Sequence, residues 1–248
     1  MPLSPYIMNI IKLDAIDSTN NFLKKLNANA TVANFTVVST KTQTHGRGQM
    51  GATWVSEPNK NLIMSILVQQ NEDFVNQIFD FNVMIAVTVI EVLSVYKIPN
   101  LNLKWPNDIM AGNKKIGGIL IENALNATKM TSIVGIGINV NQTNFGNLIQ
   151  ASSLSIIAKI FFDVDNLVLA IAEKVALNFQ KFSEQRDFFW QQYHSVLFKK
   201  DQPIMFENTD KSRFLGIIKE VSRNGKLVVL LENDLLTSFN VKQIKMLF

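Results

Sequence analysis

The sequence predicts a two-part chain, a mixed helix-and-strand domain over residues 1–198 followed by a small all-β domain over 199–248. Three observations carry this reading. Apolar residues switch repeatedly between a two-residue and a three-to-four-residue period up to residue 198. Beyond it only short strand-like runs occur, separated by turn pairs such as Asn224-Gly225 and Asn233-Asp234. With 47% hydrophobic and 18% charged residues among 248, the chain can bury a sizeable core and is not a disordered polymer.

The elements follow in order. A short strand is expected over 7–13. "DSTNNFLKKLNANA" then reads as a helix in which Ser18 or Thr19 accepts the first free N–H groups and Phe22, Leu23 and Leu26 share a face. "FTVVST" (35–40) and "NLIMSILV" (61–68) read as strands. Residues 74–96 form a long helix by spacing, with Pro99 after its end. "LNLKW" is a strand stopped by Pro106, and "KIGGILIEN" and "TSIVGIGINV" are two more, rich in β-branched residues. Helices are expected over 154–162, 166–182 and about 188–197. The closing strands are "PIMFEN", "FLGIIKEVS", "KLVVLLEN" and "TSFNVKQIKML".

Composition removes several chemistries. There is no cysteine, hence no disulfide, no thiolate nucleophile and no zinc–sulfur site, and two histidines leave little for a histidine-based metal centre. The net charge of +4 lacks a dense basic run; residues 199–248 hold nine Lys/Arg against six Asp/Glu, which reads as a solvated surface. The first residues lack a cationic signal region, and the most apolar stretch, 83–93, is too short to span a bilayer. The expectation is a cytoplasmic protein without membrane association.

"HGRGQMGATW" contains a literal G-x-G-x-x-G at Gly46, Gly48 and Gly51. A dinucleotide fingerprint needs a strand entering the glycines and a helix leaving them. Here "KTQTHG" intervenes after the strand, and "ATWVSEPNKN" with Pro58 follows, so that reading fails. What remains is a glycine loop between strands with Arg47 flanked by two glycines. It is either a surface loop or a backbone cradle whose arginine grips phosphate.

"KWPNDIMAGNKKIGGILIE" points to the second option. Lys104 ends a strand, Pro106 turns the chain, Asp108 follows, Gly112-Asn113 suggests a hairpin, and Lys115 opens a strand carrying Gly117-Gly118. Lysines, a carboxylate and exposed backbone at strand ends suit an anionic ligand beside a metal ion. "GIGINVN" adds two glycines inside a β-rich strand, which weakens a strand unless something approaches closely.

Together "DSTN", Gln43 with "GRGQMG" and Trp54, "KWPND…KKIGGILIE" and "GIGINVN" resemble, in order and spacing, the motif set of the biotin–protein ligases, and the similarity runs through essentially the whole chain. The resemblance implies an α+β catalytic domain, a mixed β-sheet with flanking helices related to class II aminoacyl-tRNA synthetases, then a small SH3-like β-barrel. It implies that biotin and Mg-ATP give biotinyl-5′-AMP and pyrophosphate, after which a lysine of a biotin carboxyl carrier domain attacks the adenylate. Lys115 would bridge the biotin carboxylate and the α-phosphate, Arg47 would hold phosphate, and Asp108 would help place Mg²⁺. Ser18, Thr19, Asn20, Gln43, Gly48, Gln49, Gly118 and Gly135 would complete the biotin site with Arg47 and Lys115. Trp54, Lys104, Asn107 and Asn139 would join Arg47 and Lys115 around the nucleotide. Gln49 and Met50 stand where some family members carry basic residues, which implies a weaker electrostatic hold on the adenylate.

Three rivals are weighed against this. A lipoate–protein ligase shares the fold, but "GRGQMG" with Trp54 and "KWPND" favour biotin. A biotin-responsive DNA-binding regulator needs a helix-turn-helix domain, and only about 17 residues precede "STN", so direct DNA binding is not expected. A non-catalytic biotin sensor would not need Lys115, Arg47 and Asp108 together. The resemblance is compatible with monomers and homodimers.

Overall fold

The computed structural model describes residues 8–126 and 129–248. Its centre is a seven-stranded mixed sheet in the order β1-β2-β3-β7-β6-β5-β4. The strands are β1 (Ile10–Ile16), β2 (Val37–Gln43), β3 (Leu62–Asn71), β4 (Leu101–Lys104), β5 (Asp108–Ala111), β6 (Lys114–Asn126) and β7 (Lys129–Ile138). β1 and β2 run parallel and the remaining neighbours antiparallel. Helix α1 (Thr19–Asn29) makes the crossover between the parallel pair, which a two-residue turn could not.

Strand alternation divides the apolar residues between two faces. Val37, Ile66 and Val134 point into the main core, under α2 (Ile78–Ser94) and α4 (Val164–Lys181). Their neighbours Val38, Leu67 and Ile133 point the other way and pack with Leu23 of α1. α2 is apolar nearly all round because it lies between the sheet and two further helices, α4 and α5 (Arg186–Ser195).

Sequence and structure differ in places. The segment 74–96 begins as a 3-10 turn and becomes α-helical at Ile78. The helix expected over 154–162 is the short α3 (Leu154–Ala158), because Lys159 takes a left-handed conformation (φ 58°) and ends it. The hairpin expected at Gly112-Asn113 joins β5 to β6; β5 itself, only four residues long and given no bounds in sequence, also pairs Lys104 with Asp108 across a turn containing the cis Trp105–Pro106 bond. Of the first expected strand, residue 7 lies outside the described residues.

The last fifty residues form a second, antiparallel sheet in the order β11-β10-β9-β8-β12, from β8 (Pro203–Asn208), β9 (Arg213–Val221), β10 (Leu227–Leu231), β11 (Leu236–Phe239) and β12 (Ile244–Leu247). Among the described residues no ladder joins β11 to β12. The sheet is fastened to the first one: Phe198 N–H donates to Leu103 O (2.9 Å), and Trp105 Nε1–H donates to Gly225 O (2.9 Å). Trp105 is thus a buried strut between the sheets.

Candidate functional site: two joined clefts on the α1 face

The floor of the site follows from strand register. β3, β7 and β6 align Ser65 with Gly135 and Leu120, and Ile63 with Gly137 and Gly118, all on the face that carries α1. One row further along, Leu67 and Ile133 fill this face with side chains. The glycines open it. A Cβ on Gly135 would lie 2.5 Å from Asn20 Oδ1, and one on Gly137 would lie 2.8 Å from the Trp54 indole.

The N-terminus of α1 stands above this floor. Ser18 is the cap, its side chain accepting from Asn21 N–H, which leaves Thr19 for other work. Gln43 Oε1 accepts from the Thr19 N–H (2.9 Å) and hydroxyl (3.2 Å), while the buried Ser65 hydroxyl lies 2.7 Å from the Thr19 oxygen and 2.5 Å from Asn20 Oδ1. Asn20 Nδ2 donates to Glu122 Oε2 at 2.7 Å.

The glycine loop forms the opposite wall. Gly48 N–H donates to Ala52 O and Trp54 N–H to Gly46 O, so the segment folds back on itself. Met50 (φ 54°) and Gly51 (φ 82°) make the reversal in the left-handed region. Arg47 leaves this loop to meet Glu122, Nη2 to Oε2 at 2.5 Å. Glu122 also binds Lys24 (2.5 Å). Burial alone would raise its pKa, but donors from Lys24, Asn20 and Arg47 outweigh it and hold the carboxyl below the ordinary glutamate value.

Ser18, Thr19, Asn20, Gln43, Arg47, Gly48, Gln49, Lys115, Gly118 and Gly135 all line this first cleft, with Trp54 and Asn107. A second cleft of about 450 Å³ adjoins it, lined by Lys104, Asp108, Asn139, the 145–151 loop and Phe248. Thr53, Trp54 and Lys115 belong to both. Lys115 is fixed by its backbone, its N–H donating to Gln150 O and its O accepting from Ser152 N–H. Its Nζ meets Asp108 Oδ1 at 2.5 Å, while Lys104 takes Oδ2 at 3.2 Å. Trp54 Nε1–H is buried and has no hydrogen-bond partner among the described residues.

Of the residues expected around a nucleotide, Trp54, Lys104, Lys115 and Asn139 line the second cleft, whereas Arg47 and Asn107 face only the first. Asn107 and Asn139 each donate one side-chain amide hydrogen, to Ile119 O and Ser152 O. Sequence reasoning missed Ser65 and Phe248 and gave no role to Glu122. Ser65 and Phe248 lie in no motif, and only the register and the chain's return reveal them. No group of three or more His, Cys, Asp or Glu residues that could hold a metal occurs among the described residues.

A mixed sheet whose face carries two adjoining clefts that share Thr53, Trp54 and Lys115 has the shape of a small-molecule site. The sequence of residues 13–139, just over half the chain, matches the profile of the biotin/lipoate A/B protein ligase family. The chain belongs to that family. It is 33% identical over 135 residues to the bifunctional ligase/repressor BirA of Bacillus spizizenii, and 30% identical over 128 residues to the biotin–[acetyl-CoA-carboxylase] ligase of Mycobacterium tuberculosis. These alignments cover 54% and 50% of this chain but only 41% and 47% of those proteins, so the chain spans less than half the length of the curated relatives it matches. Among solved structures, biotin protein ligase from Aquifex aeolicus in complex with biotin and ATP superimposes with a TM-score of 0.79 at 27% identity, over 96% of this chain and 98% of that one.

Proposed function

We propose that the protein is an ATP-dependent biotin–protein ligase. One observation carries the reading: two clefts, one small and closed by α1 and the glycine loop, the other larger, meet at Lys115. Biotin would occupy the first, its ureido ring within reach of Ser18, Thr19, Asn20 and Gln43 and of backbone around Gly118 and Gly135. ATP would occupy the second, between Trp54, Lys104, Asn139 and the 145–151 loop.

A biotin carboxylate oxygen then attacks the α-phosphorus, the bond to the bridging oxygen breaks, and pyrophosphate leaves with that electron pair. Attack brings two anions together, so the Lys115 ammonium at the junction counts most where charge concentrates. Asp108 holds Lys115 and Lys104 as a pair, and Arg47 presents its remaining N–H groups from the loop. In the second step a neutral lysine amine of a biotin carboxyl carrier domain attacks the acyl carbon, AMP leaves, and the amine loses a proton. Closure by the loop keeps water from the mixed anhydride.

Mg²⁺ would arrive on the ATP phosphates, which is its usual mode with few carboxylates. Asp108, whose two oxygens each hold an ammonium, does not fit as a ligand of the ion, which would be carried by the ATP phosphates. When bound, the ion would neutralise phosphate charge. We infer further that residues 1–198 are the catalytic domain, related to class II aminoacyl-tRNA synthetases, that residues 199–248 are the SH3-like domain, and that the setting is cytoplasmic. The relatives named as biotin ligases and the chamber lined by Ser18, Thr19 and Asn20 of "DSTN" and Arg47, Gly48 and Gln49 of "GRGQMG" favour biotin over lipoate. The test is transfer: with ATP, Mg²⁺ and biotin the purified protein should add one biotin to the acceptor lysine of a carrier domain, read by intact mass. Modification by lipoate instead would reassign it within the family.

A further inference from the structure

Glu122 takes no part in the chemistry above, yet the walls of the first cleft converge on it. It stands on β6 opposite Ile133, one row beyond the glycine-opened floor. Oε2 receives Asn20 Nδ2 at 2.7 Å and Arg47 Nη2 at 2.5 Å, and Oε1 receives Lys24 Nζ at 2.5 Å. Asn20 and Lys24 belong to α1 and Arg47 to the glycine loop, so one carboxylate ties both walls to the sheet. Two cations against one anion leave the cluster net positive. The guanidinium is planar with five donors in a fixed fork, so fixing one nitrogen fixes the direction of the rest. The ion pairs are partly exposed, with Arg47 39% and Lys24 41% accessible, so they add little to stability; what they set is orientation.

We propose that Glu122 is a positioning residue for the adenylation step, holding Arg47 of the glycine loop against the α1 wall of the first cleft before the ligands arrive. The inference rests on the ligase reading. Glu122→Gln keeps the shape and an acceptor for Asn20 but removes the charge that holds Arg47. Biotin-dependent pyrophosphate release should fall in kcat by about tenfold or more, as small misplacements of a positioning group do. The KM for biotin should stay within about twofold, as expected when transition-state rather than ground-state contacts are lost. In an Arg47→Ala background the same substitution should change kcat little, because both act through one group. Lys24→Met should leave kcat near the wild-type value.

Unchanged kcat in Glu122→Gln, additive losses in the double variant, or an equal loss in Lys24→Met would each overturn the proposal. Should Glu122→Gln fail to fold, Glu122→Asp, which keeps the charge and shortens the reach, enters the same cycle. A wild-type protein with no biotin-dependent release would overturn the ligase reading and this inference together, whereas an active wild type with additive variants would overturn the inference alone.

Discussion

Gly135→Ala tests the site floor most sharply, because the obstacle is measurable. The new methyl would lie 2.5 Å from Asn20 Oδ1, 3.1 Å from its Cγ and 3.2 Å from its Nδ2. Asn20 cannot yield freely: Ser65 Oγ holds its oxygen at 2.5 Å, and its nitrogen donates to Glu122 at 2.7 Å and Leu120 O at 3.4 Å. Either Asn20 swings out, losing a neutral and a charge-assisted hydrogen bond, or β7 shifts against its neighbours. Both routes cost about 2–4 kcal/mol, from hydrogen-bond losses or from overpacking. In a chain of this size that lowers the thermal midpoint by roughly 5–15 °C. Calorimetric titration should also show biotin bound at least about tenfold more weakly, since that loss equals about 1.4 kcal/mol. Adding Asn20→Ala should relieve the clash and recover part of the midpoint without recovering binding. A single variant with wild-type midpoint and biotin affinity would refute both the rigidity of Asn20 and its place in the cleft.

Other outcomes follow from the same geometry. Asp108→Asn releases the charge that pairs Lys115 with Lys104, and biotin-dependent pyrophosphate release should drop by about 10²-fold with little change in the unfolding midpoint. Trp105→Phe removes the hydrogen bond to Gly225 O, leaves that carbonyl short of a donor, and should cost about 1–3 kcal/mol in urea unfolding. Glu122 has a carboxyl held below its ordinary value, so its contribution to stability is complete above the unfolded-state value and is lost as pH falls through the folded one. Because its ion pairs are partly exposed the effect is small: the acid limb of a stability–pH curve should be slightly shallower in Glu122→Gln than in the wild type, with the two curves parallel above the ordinary glutamate range.

Much of the site was legible because its chemistry is local in sequence. Arg47 between glycines and Lys115 opening a strand with Gly117-Gly118 behind it mark the cleft in sequence, while the glycines spaced by two in "GIGINV" make room for Asn20 and Trp54. The capping ambiguity at Ser18 and Thr19 resolves because only one side chain can turn back on the helix, which frees Thr19 for Gln43 and Ser65. What sequence could not supply was register. That Ser65 lies in one row with Gly135 and Leu120 depends on β3 pairing with β7 across a long separation in sequence. Phe248 reaches the second cleft only because the closing sheet brings the chain back, with Gln150 donating to its carbonyl. β5 was implied by the hairpin at Gly112-Asn113 but given no bounds, because four residues give no period to count, and α3 was overextended because nothing in "LSIIAKIFF" announces the left-handed turn at Lys159.

The most direct test of the central claim measures pyrophosphate release from ATP and Mg²⁺ with biotin, with lipoate, and with neither, using the wild type and Lys115→Ala. Release that requires biotin and is lost in the variant, while biotin still binds, is the outcome predicted for a junction lysine that joins carboxylate to α-phosphate. Release that persists in Lys115→Ala, or that biotin does not stimulate, would contradict it.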